Sequence, residues 1–149
     1  MKICVACSAG GHLTEIMQLE EVFKRYDHFF VTYKNPDSEE LTKMGKVYYI
    51  INPERSVIKF VKNFFQAAVV LLKERPDVVI TTGAGIVIPL CYLAKMAGKK
   101  IVYIESFCRI DKKSPVGRIL YPVSDLFLIQ WKELLGKYGS KAKYAGRVF

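Results

Sequence analysis

Three short stretches of this 149-residue chain carry residue types that suit ligand binding and proton transfer. The first is Ser8-Ala9-Gly10-Gly11-His12-Leu13-Thr14-Glu15. Paired glycines let a ligand approach the backbone, and a helix that starts there turns free N–H groups toward a phosphate. His12 brings an imidazole, the side chain that titrates nearest neutrality, into reach of a substrate hydroxyl as a general base. The competing reading is a histidine that only hydrogen-bonds its own loop. His28 opens an apolar run and reads as structural or exposed.

The second stretch, Thr81-Thr82-Gly83-Ala84-Gly85, repeats the logic of hydroxyls and glycines before a helix. Either loop alone could serve only tight strand–helix packing. Two such loops together point to a shared anion site. The third is Tyr103-Ile104-Glu105-Ser106-Phe107-Cys108-Arg109, in which Glu105 follows a buried run directly and Arg109 opens a basic segment to Arg118. A carboxylate there can bind sugar hydroxyls or orient a neighbour. The residues expected to bind substrate are Ser8, Gly10, Gly11, Thr14, Thr82, Gly83, Gly85, Ser106 and Arg109, with His12 and Glu105 as the candidate catalytic pair.

These loops need a scaffold. Apolar, β-rich runs at Lys2–Cys7, His28–Thr32, Val47–Ile51, Val78–Thr81, Ile101–Ile104 and Leu126–Ile129 read as strands. Most are continuously apolar rather than alternating, as parallel strands covered on both faces should be. Helical patterns lie between them at Leu13–Arg25, Ser38–Met44, Val57–Glu74, Ile86–Ala97 and Val116–Pro122. Asp37 and Ser56 are expected N-caps, and Gly98 a stop. The alternation implies one α/β domain, a doubly wound, mainly parallel Rossmann-like sheet whose ligands sit beyond the carboxyl ends of its strands. The first loop is not G-x-G-x-x-G, which counts against a stand-alone dinucleotide-binding domain.

Composition narrows the partners. With 51% hydrophobic and 25% charged residues, the chain is expected to fold, and a formal net charge of +9 favours an anionic partner. No nucleic-acid-binding motif accompanies that charge, so nucleic acid is not an expected partner. The start does not read as a signal peptide, and the longest uncharged apolar run covers about half of the ~20 residues a bilayer crossing needs. Cys4, Cys7, Cys91 and Cys108 fit reduced thiols in a cytoplasmic protein. Cys4 and Cys7 form C-x-x-C within a strand, so they are expected to point to opposite faces as core residues rather than to bind metal.

The 57–74 helix has more apolar surface than one sheet needs, with Lys59, Lys62, Asn63, Gln66 and Lys73 on the remainder. One reading is a long core helix. The other sends Phe60, Phe64 and Phe65 into a lipid interface while lysines meet anionic head groups.

The three loops, with Gln130-Trp131 and the closing Tyr144-Ala145-Gly146-Arg147-Val148-Phe149, resemble the asparagine-linked-glycosylation-protein-fourteen family, whose bacterial members serve capsule and exopolysaccharide biosynthesis. That family is similar to the N-terminal, acceptor-binding half of GT-B glycosyltransferases such as the peptidoglycan transferase MurG. The resemblance implies a division of labour. A thirteen-type subunit would hold the UDP-sugar, and this chain would bind an undecaprenyl-diphosphate-linked saccharide at the inner face of the cell membrane. The chain stops about where a single-chain GT-B enzyme would cross to its donor domain, and it lacks the membrane helix of the eukaryotic subunits. Attachment is therefore expected to be peripheral, through the 57–74 helix or the basic 109–118 loop. The expected reaction is an inverting transfer with His12 as base and Glu105 on acceptor hydroxyls, and no cofactor or metal is implied. The alternative is a non-catalytic anchor and activator of a separate transferase.

Overall fold

The computed structural model describes residues 1–147, so Val148 and Phe149 of the closing motif lie outside the described residues. Seven strands form one sheet: β1 (Lys2–Ala6), β2 (Asp27–Thr32), β3 (Lys46–Tyr49), β4 (Val78–Thr81), β5 (Lys100–Ile104), β6 (Leu126–Ile129) and β7 (Ala142–Tyr144). Their order is β3-β2-β1-β4-β5-β6-β7, and every pairing is parallel. Chain order reverses direction across the sheet between β1 and β4. The C-terminal side of that switch point is where a doubly wound sheet opens a crevice.

The crossovers are α1 (Gly11–Met17), α2 (Glu20–Phe23), α3 (Pro36–Glu39), α4 (Val57–Glu74), α5 (Ile88–Met96), α6 (Pro115–Leu120) and α7 (Leu135–Tyr138). The continuous helix expected over 13–25 is interrupted at Gln18–Leu19, where N–H groups bond three residues back. The segment expected as a helix over 38–44 is one α turn running into a 3₁₀ turn at Glu40–Lys43, capped by Asn35 rather than Asp37. Asn35 accepts from the Asp37 N–H, and Pro36 occupies the first turn, where its missing donor costs nothing. Ser56 caps α4 as expected, accepting from the Lys59 N–H.

Two cores lie on opposite faces of the sheet. Cys4, Phe29, Val79, Leu90, Ile101 and Phe127 pack on the α4–α7 side, and Ile3, Val5, Cys7, Ile16, Phe23 and Phe30 on the α1–α2 side. Cys4 and Cys7 therefore do point to opposite faces, and burial pushes the Cys7 and Cys91 thiols up to about 12. Such thiols are inert packing groups at neutral pH.

Helix α4 is oriented against its sequence pattern. The residues it buries are Asn63, Ala67, Val70 and Glu74. Asn63, expected on the polar face, is fully buried and donates through Nδ2 to the Ile51 and Ile86 carbonyls at 2.8 and 3.2 Å. It thus ties the helix to the chain ends leaving β3 and β4. The apolar stripe faces outward, with Val57 77%, Phe65 63% and Leu72 74% exposed.

At the opposite end of the helix, Glu74 receives hydrogen bonds from Lys2, Lys46 and Tyr48. The bonds from Lys2 and Lys46 lead in holding its carboxyl down at about 2, from an ordinary 4.5. A carboxylate whose folded pKa is depressed contributes stability above its unfolded pKa and loses it as pH falls toward the folded one. Acid should therefore destabilise this clamp between pH 4.5 and 2. Glu74→Gln is expected to cost about 1–2 kcal/mol at neutral pH, the figure held down by the partly exposed lysines. Urea unfolding at pH 7 and pH 3 checks both statements: the two proteins should differ at pH 7 and differ by clearly less at pH 3.

Candidate functional site

A cleft of about 460 Å³ opens beyond the carboxyl ends of β1, β4 and β5, at the switch point of the sheet. Its walls include Gly11, His12 and Glu15 from the start of α1, Ala84 from the loop after β4, and Ser106 and Arg109 from the loop after β5. Ser114, Pro115 and Val116 at the start of α6 close another side. Gly11, His12, Ser106 and Arg109, all expected from the sequence, thus meet in one cavity.

The loops are cross-braced beneath it. Thr82 Oγ1 donates to the His12 carbonyl at 3.0 Å, joining the first glycine loop to the second. Thr81 Oγ1 accepts from the Gly83 N–H at 2.9 Å and tightens the turn after β4. Gly83 has φ +105°, and a Cβ there would come within 3.2 Å of the Tyr103 hydroxyl, so this position needs glycine for conformation and for space. Its neighbour Ala84 holds φ 81° and ψ 153°, a region almost confined to glycine, at the wall of the cleft. Such strain clusters where a loop shape serves a site.

Among the residues expected to bind substrate, Ser8, Gly10, Gly83 and Gly85 shape these loops without lining the cleft. Thr14 faces a neighbouring groove of about 470 Å³, formed with Met17, Pro36, Asp37 and Met44. Helix α1 is seven residues long and has no side-chain cap, so the glycine loop shapes the entrance more than it builds a long helix dipole.

His12 is half-buried on the wall, and its Nδ1 is shielded from water without a hydrogen-bond partner. No partner within the protein therefore fixes which ring nitrogen carries the proton.

Glu105 departs from expectation. It is 0% exposed and lies beneath the cleft rather than on its wall. Its Oε1 accepts from the Tyr103 hydroxyl at 3.1 Å and the Ser106 N–H at 3.0 Å. Its Oε2 accepts from the Ser114 hydroxyl at 2.9 Å, the Ser114 N–H at 3.3 Å and the Tyr138 hydroxyl. With both oxygens engaged by the protein, direct contact with acceptor hydroxyls gives way to a positioning role. Burial is the first cause that pushes the Tyr103 and Tyr138 hydroxyls well above the ordinary tyrosine range, so both remain donors to the carboxylate. Ser114 also caps α6 by accepting from the Gly117 N–H at 2.8 Å.

Gln130 and Trp131, conspicuous in the sequence without an evident task, hold the third loop from the end of β6. Gln130 Nε2 donates to the Glu105 carbonyl at 3.1 Å, and Trp131 Nε1 to the Phe107 carbonyl at 2.7 Å.

Sequence reasoning gave no role to Glu15, Ser114 or Tyr138. For Glu15 a signal was present: an acid three residues after His12 shares its helix face. Ser114-Pro115 also carried the cap-then-proline signature of a helix start. Tyr138 had none, because it reaches Glu105 only through the tertiary fold.

Comparison with known proteins agrees with this architecture. The human UDP-N-acetylglucosamine transferase subunit ALG14 is 29% identical over an alignment of 184 positions, spanning 99% of this chain and 83% of that protein. The Schizosaccharomyces pombe subunit is 47% identical over 78 residues, 49% of this chain and 37% of that protein. Among solved structures, Acinetobacter baumannii MurG superposes with a TM-score of 0.78 at 13% identity, covering 97% of this chain and 45% of MurG. The UDP-GlcNAc 2-epimerase of Methanocaldococcus jannaschii gives 0.76 at 15% identity over 99% of this chain and 46% of the enzyme. The chain thus spans under half the length of these structures, which share its fold. The family described as "Oligosaccharide biosynthesis protein Alg14 like" matches residues 52–148, well over half the chain, and the chain belongs to that family.

Proposed function

We propose that this chain is the acceptor-binding subunit of a two-part glycosyltransferase that extends a lipid-diphosphate-linked saccharide in polysaccharide biosynthesis. The observation that carries the reading is the switch-point cleft with an unpartnered His12 nitrogen, set in a chain that spans 45% of MurG. In this reading residues 1–149 are one GT-B N-terminal-type domain. A separate thirteen-type subunit supplies the donor half and holds the UDP-sugar. The human relative is a UDP-N-acetylglucosamine transferase subunit by name, so UDP-GlcNAc is the first donor to test.

The acceptor, an undecaprenyl-diphosphate-linked saccharide or a close analogue, enters the cleft. One of its hydroxyl oxygens attacks the anomeric carbon, the C–O bond to UDP breaks, and the configuration inverts. His12 takes the hydroxyl proton, and the partner stabilises the departing UDP. Arg109 at the exposed end of the cleft suits the acceptor diphosphate. Glu105 sets the floor by fixing Tyr103, Ser114 and Tyr138. Gly11 and Ala84 bring the backbone of the two glycine loops to the cleft wall, close to the ligand. Labelled-sugar transfer to lipid, measured on membranes with this chain, a donor-domain subunit or both, tests the reading, which requires transfer only from the pair.

A second element supports attachment at the inner face of the cell membrane. No helix among the described residues is long and apolar enough to cross a membrane. Helix α4 nevertheless presents Phe60, Phe64 and Phe65 outward beside lysines. An apolar stripe with a basic flank lies flat on an anionic bilayer. Burying each phenylalanine contributes about 1.5–3 kcal/mol at full depth. The double variant Phe64→Asp, Phe65→Asp is therefore expected to weaken co-sedimentation with phosphatidylglycerol vesicles by more than ~10-fold. Unchanged co-sedimentation would assign the stripe to a protein partner. The outward stripe also favours a second reading, an anchor and activator without chemistry, in which substitutions in the cleft leave transfer intact.

A further inference from the structure

Glu15 is the buried charge that the mechanism above leaves unused. It follows His12 by three residues on α1, so both side chains leave the same helix face, and both line the switch-point cleft. Only 6% of Glu15 is exposed. Its Oε1 accepts from the Ser106 hydroxyl at 2.8 Å and the Phe107 N–H at 3.0 Å, which locks the third loop onto α1. Its Oε2 is shielded from water and has no hydrogen-bond partner. A buried carboxylate oxygen without a donor is costly, and folded proteins seldom keep one unless a donor arrives from elsewhere.

An ionised carboxylate only accepts hydrogen bonds, so its missing partner is a donor. A phosphate offers none and repels it. A sugar offers hydroxyls and, where acetamido-substituted, an amide N–H. The cleft is thus chemically polarised, with the buried Glu15 within and the exposed, cationic Arg109 toward the mouth. We propose that Glu15 Oε2 takes a hydrogen bond from a hydroxyl or acetamido N–H of the acceptor sugar and is the specificity-determining residue of the acceptor site. This orients the sugar inward, beside His12, and the diphosphate outward. The inference rests on the acceptor-binding reading given above.

Glu15→Gln is the informative variant. Ser106 and Phe107 require an acceptor, so the amide oxygen takes the place of Oε1 and the NH₂ group takes that of Oε2. The cleft then presents a donor where it had an acceptor, and the loop lock is retained. The experiment is calorimetric titration of the full chain with short-chain prenyl-diphosphate monosaccharides, their single-position deoxy and deacetamido analogues, and UDP-GlcNAc. The expected result is that Glu15→Gln binds the parent acceptor about 10–100-fold more weakly, as fits loss of a hydrogen bond to a charged group. One analogue should lose a similar factor with the wild-type protein and nothing further with the variant, the signature of a direct pair.

If the variant binds every acceptor like the wild type, or weakens all analogues equally, the role of Glu15 is overturned while acceptor binding stands. If the wild-type protein binds UDP-GlcNAc and no acceptor, the acceptor reading itself falls. The analogue series on the wild-type protein needs no variant. Should no single deletion weaken binding about tenfold, the proposal fails even if Glu15→Gln does not fold.

Discussion

Replacing His12 with alanine in a complex reconstituted with the proposed donor-domain subunit is expected to lower turnover ~10²–10⁴-fold, the range general-base help supplies. The substitution leaves the loop in place, because Thr82 Oγ1 holds the backbone carbonyl of residue 12 and not its side chain. The variant should therefore melt with the wild-type protein, and a loss of turnover would report chemistry rather than folding. His12 Nδ1 makes no hydrogen bond within the protein, so truncation strands no partner. A pure anchor predicts the opposite: the alanine complex turns over at the wild-type rate. Single-turnover kinetics on saturating acceptor, with thermal melts of the same samples, distinguish the two outcomes.

The largest expected effect on stability lies directly beneath the cleft. Glu105→Ala removes the shared acceptor of Tyr103, Tyr138, Ser106 and Ser114, all of which point at one fully buried carboxylate. Each buried donor left unsatisfied costs about 1–3 kcal/mol, and the costs are not additive in a network. An overall loss of about 3–5 kcal/mol is expected, a large share of the ~5–15 kcal/mol that holds a domain together. Gly117→Ala reaches the same network from outside. A Cβ at Gly117 would lie 2.6 Å from Glu105 Oε2 and 2.7 Å from Ser114 Oγ, closer than any real contact. Its methyl group must push α6 away from the carboxylate, so it should destabilise in the same direction. Urea unfolding of both single variants and the double variant checks this. The double variant should lose clearly less than the sum, because both substitutions damage one network.

Much of the scaffold was legible because parallel strands buried on both faces write themselves as short apolar runs. Six of the seven strands stand within a residue or two of those runs, and α4 matches over its full length. Strand β7 escaped because Ala142-Lys143-Tyr144 is three residues long and carries no apolar run. Helix α4 shows a second limit. Its apolar residues extend nearly all round, so periodicity could not tell which stripe faces the sheet. The orientation follows from Asn63, whose amide bonds two carbonyls at the ends of other elements.

The candidate site divides in the same way. Residues in continuous loops, His12, Ser106 and Arg109, were readable from strand-end position alone and do line the cleft. Glu105 was found but misplaced, since its burial depends on Ser114 and Tyr138, 9 and 33 residues along the chain. No local signal reports a partner that distant.

Titration shows whether this chain supplies half of an active site. Increasing amounts of the chain are added to a fixed quantity of donor-domain subunit, and transfer of labelled GlcNAc from UDP-GlcNAc to a lipid-diphosphate-linked acceptor is measured. A shared active site predicts negligible transfer by either subunit alone, a rise that saturates at one chain per partner, and no rise when the His12→Ala chain is used. Full activity of the partner alone on the lipid acceptor, or equal activation by the His12→Ala chain, would contradict it and leave the chain an anchor.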